Sequence, residues 1–242
     1  MDATSVICIP GKWESRTAIV QMIPRLSHHK YVFAGQILMN ISTQEDFELE
    51  ICEKDDRMPM SFAFAGKVNG IQKSDIDDIK EHNKVIYLSK KIRSIGHLEE
   101  LADIASMILQ SDGCGVKIES AGMAFSTNQW LSLQKNRTLN DLYSMFVCDS
   151  ISSILSGLYS CGMHNLGLKD TIVDDMDSEK GQELIRAFNL YQLLEKPEII
   201  ANQTFSLSKN ATIYRISEEN NQPNKGYELF ENPFGMWRLS AT

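Results

Sequence analysis

Residues 84–120 constrain the fold more than any other stretch of the chain. "KVIYLS" (84–89) is β-branched and apolar and predicts a strand. Beyond it, Leu98, Leu101, Ala105, Ile108 and Leu109 fall on one helical stripe. Glu99, Glu100 and Asp103 flank that stripe, and Gly113 stands where the helix should stop. "CGVKIES" (114–120) then returns as a strand. A strand, a helix and a strand in this order predict a β-α-β unit, with two parallel strands joined by a right-handed crossover.

The segments before it add strands and short helices. "TSVICI" (4–9) predicts a buried strand, and "WESRTAIVQMI" a helix ended by Pro24. "YVFAGQILMNIS" (31–42) is strand-like with an interruption at Gly35. "DFELEICEK" (46–54) turns Phe47, Leu49 and Ile51 inward and Glu48 and Glu50 outward, the alternation of an antiparallel strand with one wet face. "MSFAFAG" (60–66) reads as a further strand, and Ser74 with Asp77 as the cap of a helix over 74–83.

Downstream, "STNQWLSLQ" and "TLNDLYSMFVCDSISSIL" read as helical, as does 177–197, capped by Asp177 or Ser178 and followed by Pro197. "QTFSLS", "ATIYRIS" and "FGMWRLS" predict closing strands, and 218–226 a mobile loop. The expectation is one α+β domain over 1–242, with mixed sheets, helices packed on one face and a ferredoxin-like sub-architecture.

Charge narrows the partners. The 242 residues carry a formal net charge of −8, which disfavours nucleic acid or an anionic membrane and favours a basic protein surface. No apolar run reaches the ~18 residues of a membrane span. The start "MDATSVICIPGKW" lacks the pattern of a secretion signal, so a cytoplasmic setting is expected. The five cysteines are scattered without a C-x-x-C, which argues against a disulfide framework.

Known chemistries mostly fail on spacing. No phosphate-binding glycine loop is present, and the "GCG" at 113–115 follows a helix rather than preceding one. His28 and His29 are adjacent, and His97 lacks a second His four residues away, so no metal site is expected. The acidic run from Asp175 puts Gly181 one place late for a calcium loop and Arg186 where a bidentate glutamate belongs. Asp175, Asp177 and Glu179 instead complement the dipole of the following helix. No cofactor is implied. The sharpest candidate is "YSCGMHNLGLKD" (159–170), where Cys161, His164 and Asn165 lie within five positions. A catalytic thiol needs a lowered pKa and a base held on a separate rigid element, whereas these residues share one glycine-flanked turn.

As an ordered set, these motifs resemble the bacterial domain-of-unknown-function family 4261 over about 84–217. "GVKIESAGMAFSTNQW" is similar to a family strand that ends in a Ser-x-Gly element, here Ser120 and Gly122, with Ser126 and Trp130 downstream. "LYSCGMHNLGLKDTIV" matches its glycine-and-acid segment through Gly162, Met163, Gly167 and Asp170. The resemblance implies a bacterial cytosolic protein and no particular activity. Its pattern-defining positions are the glycines and the acid, not Cys161 or His164. Residues 1–83 match only loosely, and 218–242 form a C-terminal loop and strand outside the family-like core.

Two functions are expected from these observations. The first is a non-enzymatic protein-binding module of immunity or antitoxin type that neutralises a basic toxin. The alternative is an enzyme with a pocket near Ser120 and the 159–170 turn, using Cys161 and His164.

Overall fold

A computed structural model describes residues 2–153, 157–174 and 177–242. In chain order the first half comprises β1 (Ala3–Gly11), α1 (Arg16–Leu26), the hairpin β2 (Tyr31–Ala34) and β3 (Ile37–Asn40), β4 (Asp46–Glu53), α2 (Met58–Ala65), α3 (Lys73–Lys80), β5 (Lys84–Ile92), α4 (Ile95–Leu109), β6 (Gly115–Ile118) and β7 (Met123–Ser126). The second comprises α5 (Thr127–Gln134), α6 (Leu139–Phe146), β8 (Cys148–Ser153), β9 (Gly157–Cys161), a 3-10 turn (Met163–Leu166), β10 (Asp170–Val173), α7 (Ser178–Leu194), β11 (Thr204–Phe205), β12 (Tyr214–Glu219) and β13 (Met236–Ala241). The architecture is α+β, as the residue patterns predict.

The first sheet has the order β2-β3-β4-β5-β1-β6-β7, and every neighbouring pair in it is antiparallel. β5 and β6 are therefore parallel to each other but are not neighbours. β1 lies between them, paired with β5 from Ala3↔Ile92 to Gly11↔Lys84 and with β6 at Ile7↔Ile118. The adjacent parallel pair expected for 84–120 is thus a split β-α-β unit, because the first strand of the chain fills the gap beneath the crossover. β1, α1 and β4 repeat the arrangement around β5. The order β4-β5-β1-β6 with helices after its first and third strands is the ferredoxin-like plan.

Strand alternation decides the two faces. Ile7, Ile9, Phe47, Leu49, Ile86 and Leu88 are fully buried in one core with Ile19 and Ile23 of α1 and Leu98, Leu101 and Ile108 of α4. On the opposite face α2 and α3 cover Cys8, Val85 and Ala124 with Met58, Phe62 and Ile79. Helices on one face thus describes α1 and α4, while α2 and α3 close part of the other. The second sheet has the order β11-β12-β13-β10-β9-β8, with β10 and β13 parallel, and α7 packs Leu184, Ile185 and Phe188 onto it. The core of the first sheet runs on through α6 to Met163, Leu166 and Leu193.

Several local expectations are corrected. Residues 60–66 belong to α2, not a strand: Met58, Phe62 and Ala65 are buried at helical spacing, while Met60 and Phe64 point out at 75% and 85% exposure. Over so short a run, alternating apolar residues fit either period. Helix α6 ends at Phe146, and 148–153 form β8 on β9. Residues 154–155 of that predicted helix lie outside the described residues, as does Asp175. Helix α3 is capped by Gln72 with Asp75 rather than by Ser74, and α1 carries Pro24 inside its last turns. Asp112 takes the positive φ (66°) after α4, not Gly113. Gly113 bridges Gly11, and a side chain there would press on Leu109 Cα at 2.8 Å. The loop beyond Glu219 is pinned, since Asn232 N–H donates to Gln222 Oε1 (3.0 Å) and Gln222 Nε2 donates to Asn232 O (2.9 Å).

Candidate functional site

The 159–170 turn links β9 to its antiparallel neighbour β10. Gly162 begins it at φ +118° and Gly167 ends it at φ +75°, both in the region that favours glycine. Ser160, Met163, His164, Asn165 and Asp170 are all buried. Asn165 Nδ2 donates to Phe146 O (3.1 Å), and its Oδ1 accepts from Ser120 Oγ (3.0 Å). Ser120 Oγ also accepts, at 3.4 Å, from Val6 N–H of β1. Asn165 and Ser120 therefore tie the turn to both β1 and the end of α6.

Asp170 is the polar centre. Its carboxylate accepts from Ser160 Oγ (3.0 Å), Met163 N–H (3.1 Å) and Asn232 Nδ2 (2.7 Å), at 1% exposure. Three donors on one buried carboxylate compensate its desolvation. Asn232 comes from the loop before β13, so this carboxylate ties the 159–170 turn to a distant stretch of chain. Ser160 and Asn232 escaped sequence reasoning. The Asn-Pro pair at 232–233 was a readable turn signal, but its partner 62 residues away was not.

Cys161 and His164 share the turn without engaging each other. The Cys161 thiol faces Phe230 O (3.7 Å) and Ser120 O (3.9 Å) and lies opposite Cys148 across the β8–β9 ladder. Burial raises its pKa well above the ordinary thiol value, and the charge on Asp170 and the Cys148 thiol push in the same direction. That is the reverse of what activates a nucleophile. His164 is 2% exposed, and neither ring nitrogen has a hydrogen-bond partner among the described residues. Its Nδ1 stands 3.9 Å from Asp170 Oδ2.

The remaining predicted residues lie further out. Ser126 caps α5 through Gln129 N–H. Trp130 is fully buried, donates from Nε1 to Ser106 Oγ (2.8 Å) and reaches the turn only through an edge contact with Phe146. Gly122 makes the tight β6–β7 turn at φ +66°, beside the Phe230 ring. Ser120, Gly162, Met163 and Asp170 thus converge, whereas Ser126, Trp130 and Gly122 support neighbouring elements.

Thiol accessibility gives a direct check. Cys52 is half-buried and the other four cysteines are buried. A thiol reagent such as iodoacetamide at neutral pH is expected to modify Cys52 alone in the native protein. Cys161 should react only on unfolding, at a rate that His164→Ala leaves unchanged. Rapid native labelling of the peptide containing Cys161, read by mass spectrometry, would contradict the buried-thiol geometry.

A different surface is open to a partner. On the face of the first sheet away from α1 and α4, helices α2 and α3 leave β2, β3 and β4 uncovered. Val32, Ile37 and Met39 point outward there, each 41–43% exposed. The register places Val32 opposite Met39, Met39 opposite Asp46, Ile37 opposite Glu48 and Glu48 opposite Ser89. Residues opposed in a ladder share a face, so an apolar patch adjoins a row made by Asp46, Glu48 and Glu50. Glu48 accepts from Ser89 Oγ (3.2 Å), and neither Glu48 nor Glu50 has an ion-pair partner among the described residues. Lys91 is exposed on the same face, and Lys117 there is already paired with Glu119 at 2.7 Å.

No group of three or more His, Cys, Asp or Glu among the described residues could hold a metal ion, and no helix there is long and apolar enough to cross a membrane. Searches of protein-family models, of curated proteins and of solved structures found no match to this chain.

Proposed function

We propose that the protein is a non-enzymatic protein-binding module that receives a basic, toxin-like protein on the open face of the first sheet. The observation that carries this reading is the apolar patch Val32, Ile37 and Met39 set against the unpaired carboxylates Glu48 and Glu50. An interface needs an apolar centre to exclude water and a charged border to select its partner. A standard complex buries about 800 Å² on each partner, and here the uncovered strands β2, β3 and β4 would contribute to it. The net charge of −8 adds long-range attraction for a cationic surface.

The enzyme reading has less to support it, because Cys161 and His164 are buried and make no hydrogen bond to each other. The likeness of 84–217 to family 4261 belongs to the same proposal. It rests on the order of the Ser120–Gly122 and Gly162–Asp170 motifs, and it brings no activity with it.

The test is co-expression with the product of an adjacent toxin-like gene, followed by sizing and calorimetry of the pair. A stable 1:1 complex is expected. The double substitution Glu48→Lys with Glu50→Lys should slow association by about tenfold or more at low salt, and Met39→Asp should speed dissociation. A complex that ignores all three substitutions, or no complex with such a neighbour, would remove the reading.

A further inference from the structure

A second candidate site lies where the two sheets meet. A groove of about 990 Å³ opens between the end of β5, the start of α4, the turn before β10 and the end of α7. Its volume sits at the upper end of the ~300–1,000 Å³ usual for small-molecule sites. The floor is apolar: Ile92, Leu166 and Leu193 belong to the core of the first sheet and Trp237 to that of the second, each at most 7% exposed. The floor is thus continuous with packed core and is held from both sides.

The upper wall is cationic. Arg93, Lys169 and Lys196 line the groove, against a single carboxylate, Asp2. This is a local excess of positive charge on a protein whose net charge is −8. Arg93 Nε holds Asp2 at 3.2 Å, a pair with both side chains substantially exposed. Lys169 Nζ sits 3.9 Å from the centre of the Trp237 ring and pairs with Glu218 at 2.7 Å. Lys196 is exposed and has no ion-pair partner among the described residues. The first turn of α4, whose Ser94 and Ile95 also line the groove, carries no acidic residue, so its N-terminal dipole adds to the positive potential.

We infer that this groove binds a small amphipathic anion, a free monocarboxylic acid whose apolar body lies on the Leu166–Leu193–Trp237 floor and whose carboxylate meets Arg93 and Lys196. The apolar floor excludes a wholly polar anion, and the bases disfavour a cationic or neutral amphiphile. Asp2 on Arg93 is an internal instance of the head group, held by one hydrogen bond from Arg93 Nε, and a planar guanidinium has the geometry to donate two parallel hydrogen bonds to a carboxylate. An entering acid therefore exchanges one exposed carboxylate for another while adding apolar burial. This groove adjoins the open sheet face through Arg93, which also lines a smaller cleft with Asp46, Glu48 and Ser89, but neither proposal depends on the other.

The test uses the full chain and decanoate below its micellar concentration, with decanol as the neutral counterpart. Calorimetry gives affinity, and the indole N–H resonance of Trp237, assigned with Trp237→Phe, gives location. Decanoate is expected to bind saturably, to move the Trp237 resonance, and to bind about tenfold more tightly than decanol. Lys196→Met should weaken decanoate about three- to fivefold and leave decanol unchanged, while Lys196→Arg retains the affinity. Equal affinities for acid and alcohol, a response that bypasses Trp237, or no saturable binding would overturn the inference. So would saturable binding of an apolar, C-terminally amidated peptide in place of decanoate.

Discussion

Gly162→Ala is expected to destabilise the protein by about 3–5 kcal/mol, the largest effect of any single methyl group added to the 159–170 turn. Two costs add. At φ +118° the backbone is in a region that L side chains rarely adopt, worth ~1–3 kcal/mol. A methyl group there would also collide with the Phe146 carbonyl oxygen and approach Ala121 Cβ and Val147 Cα at 3.0 and 3.1 Å. Both the carbonyl and Val147 Cα are backbone atoms, and the same carbonyl is fixed by Asn165, so little can yield. For a chain of this length the loss corresponds to roughly 10 °C in Tm. Gly167→Ala separates the two costs. Its φ is +75°, yet nothing lies within 4 Å of the added atom, so only ~1 kcal/mol is expected. Urea denaturation of both variants measures the difference, and equal losses would show that crowding against Phe146 does not matter.

Asp170→Ala is expected to cost about 3–5 kcal/mol, through polar atoms rather than shape. Removing the carboxylate strands three buried donors, from Ser160, Met163 and Asn232. Asp170→Asn keeps the volume and one acceptor oxygen. Its amide turns a donor toward either Ser160 and Met163 or Asn232, and a loss of ~1–3 kcal/mol follows. His164→Leu is the informative contrast. His164 is as buried as Asp170 but its ring makes no hydrogen bond among the described residues, so replacing it with an apolar side chain should cost under about 1 kcal/mol. Urea midpoints for the three variants should fall in that order. A His164→Leu loss as large as that of Asp170→Ala would mean that the imidazole is tied in by its proximity to Asp170.

Much of the fold was legible because burial on one side of an element leaves a period in the residues. The stripe Leu98–Leu101–Ala105–Ile108 is α4, the alternation Phe47–Glu48–Leu49–Glu50 is β4, and Gly35 turns the β2–β3 hairpin at φ +67°. Legibility failed where the run was short or the pattern ambiguous. Phe62 and Phe64 alternate like strand residues, yet Met58, Phe62 and Ala65 make a helical face. Cys148 to Ser153 carry no clear period and take their strand conformation from pairing with β9. In the candidate site, the glycines were readable as turn residues and Asp170 was singled out only by the motif's resemblance to family 4261. Its partners Ser160 and Asn232 were not legible.

By itself the sequence determined the α+β class, the strand–helix–strand unit at 84–120, the acidic balance, and the glycine-framed turn that contains Cys161 and His164. All of these follow from local residue order and from charge, which need no knowledge of distant contacts. Tertiary structure alone decided that β1 would enter between β5 and β6, that Asn232 would cross to Asp170, and that Cys161 and His164 would be buried without a hydrogen bond between them. It also decided that Val32, Ile37 and Met39 would stand beside Glu48 and Glu50 on a face left open, and that three bases would line one apolar groove. The physical reason is the same in each case. Strand order and side-chain proximity depend on which distant segments bury their surfaces together, and a period along the chain records which side of an element is buried but not what covers it.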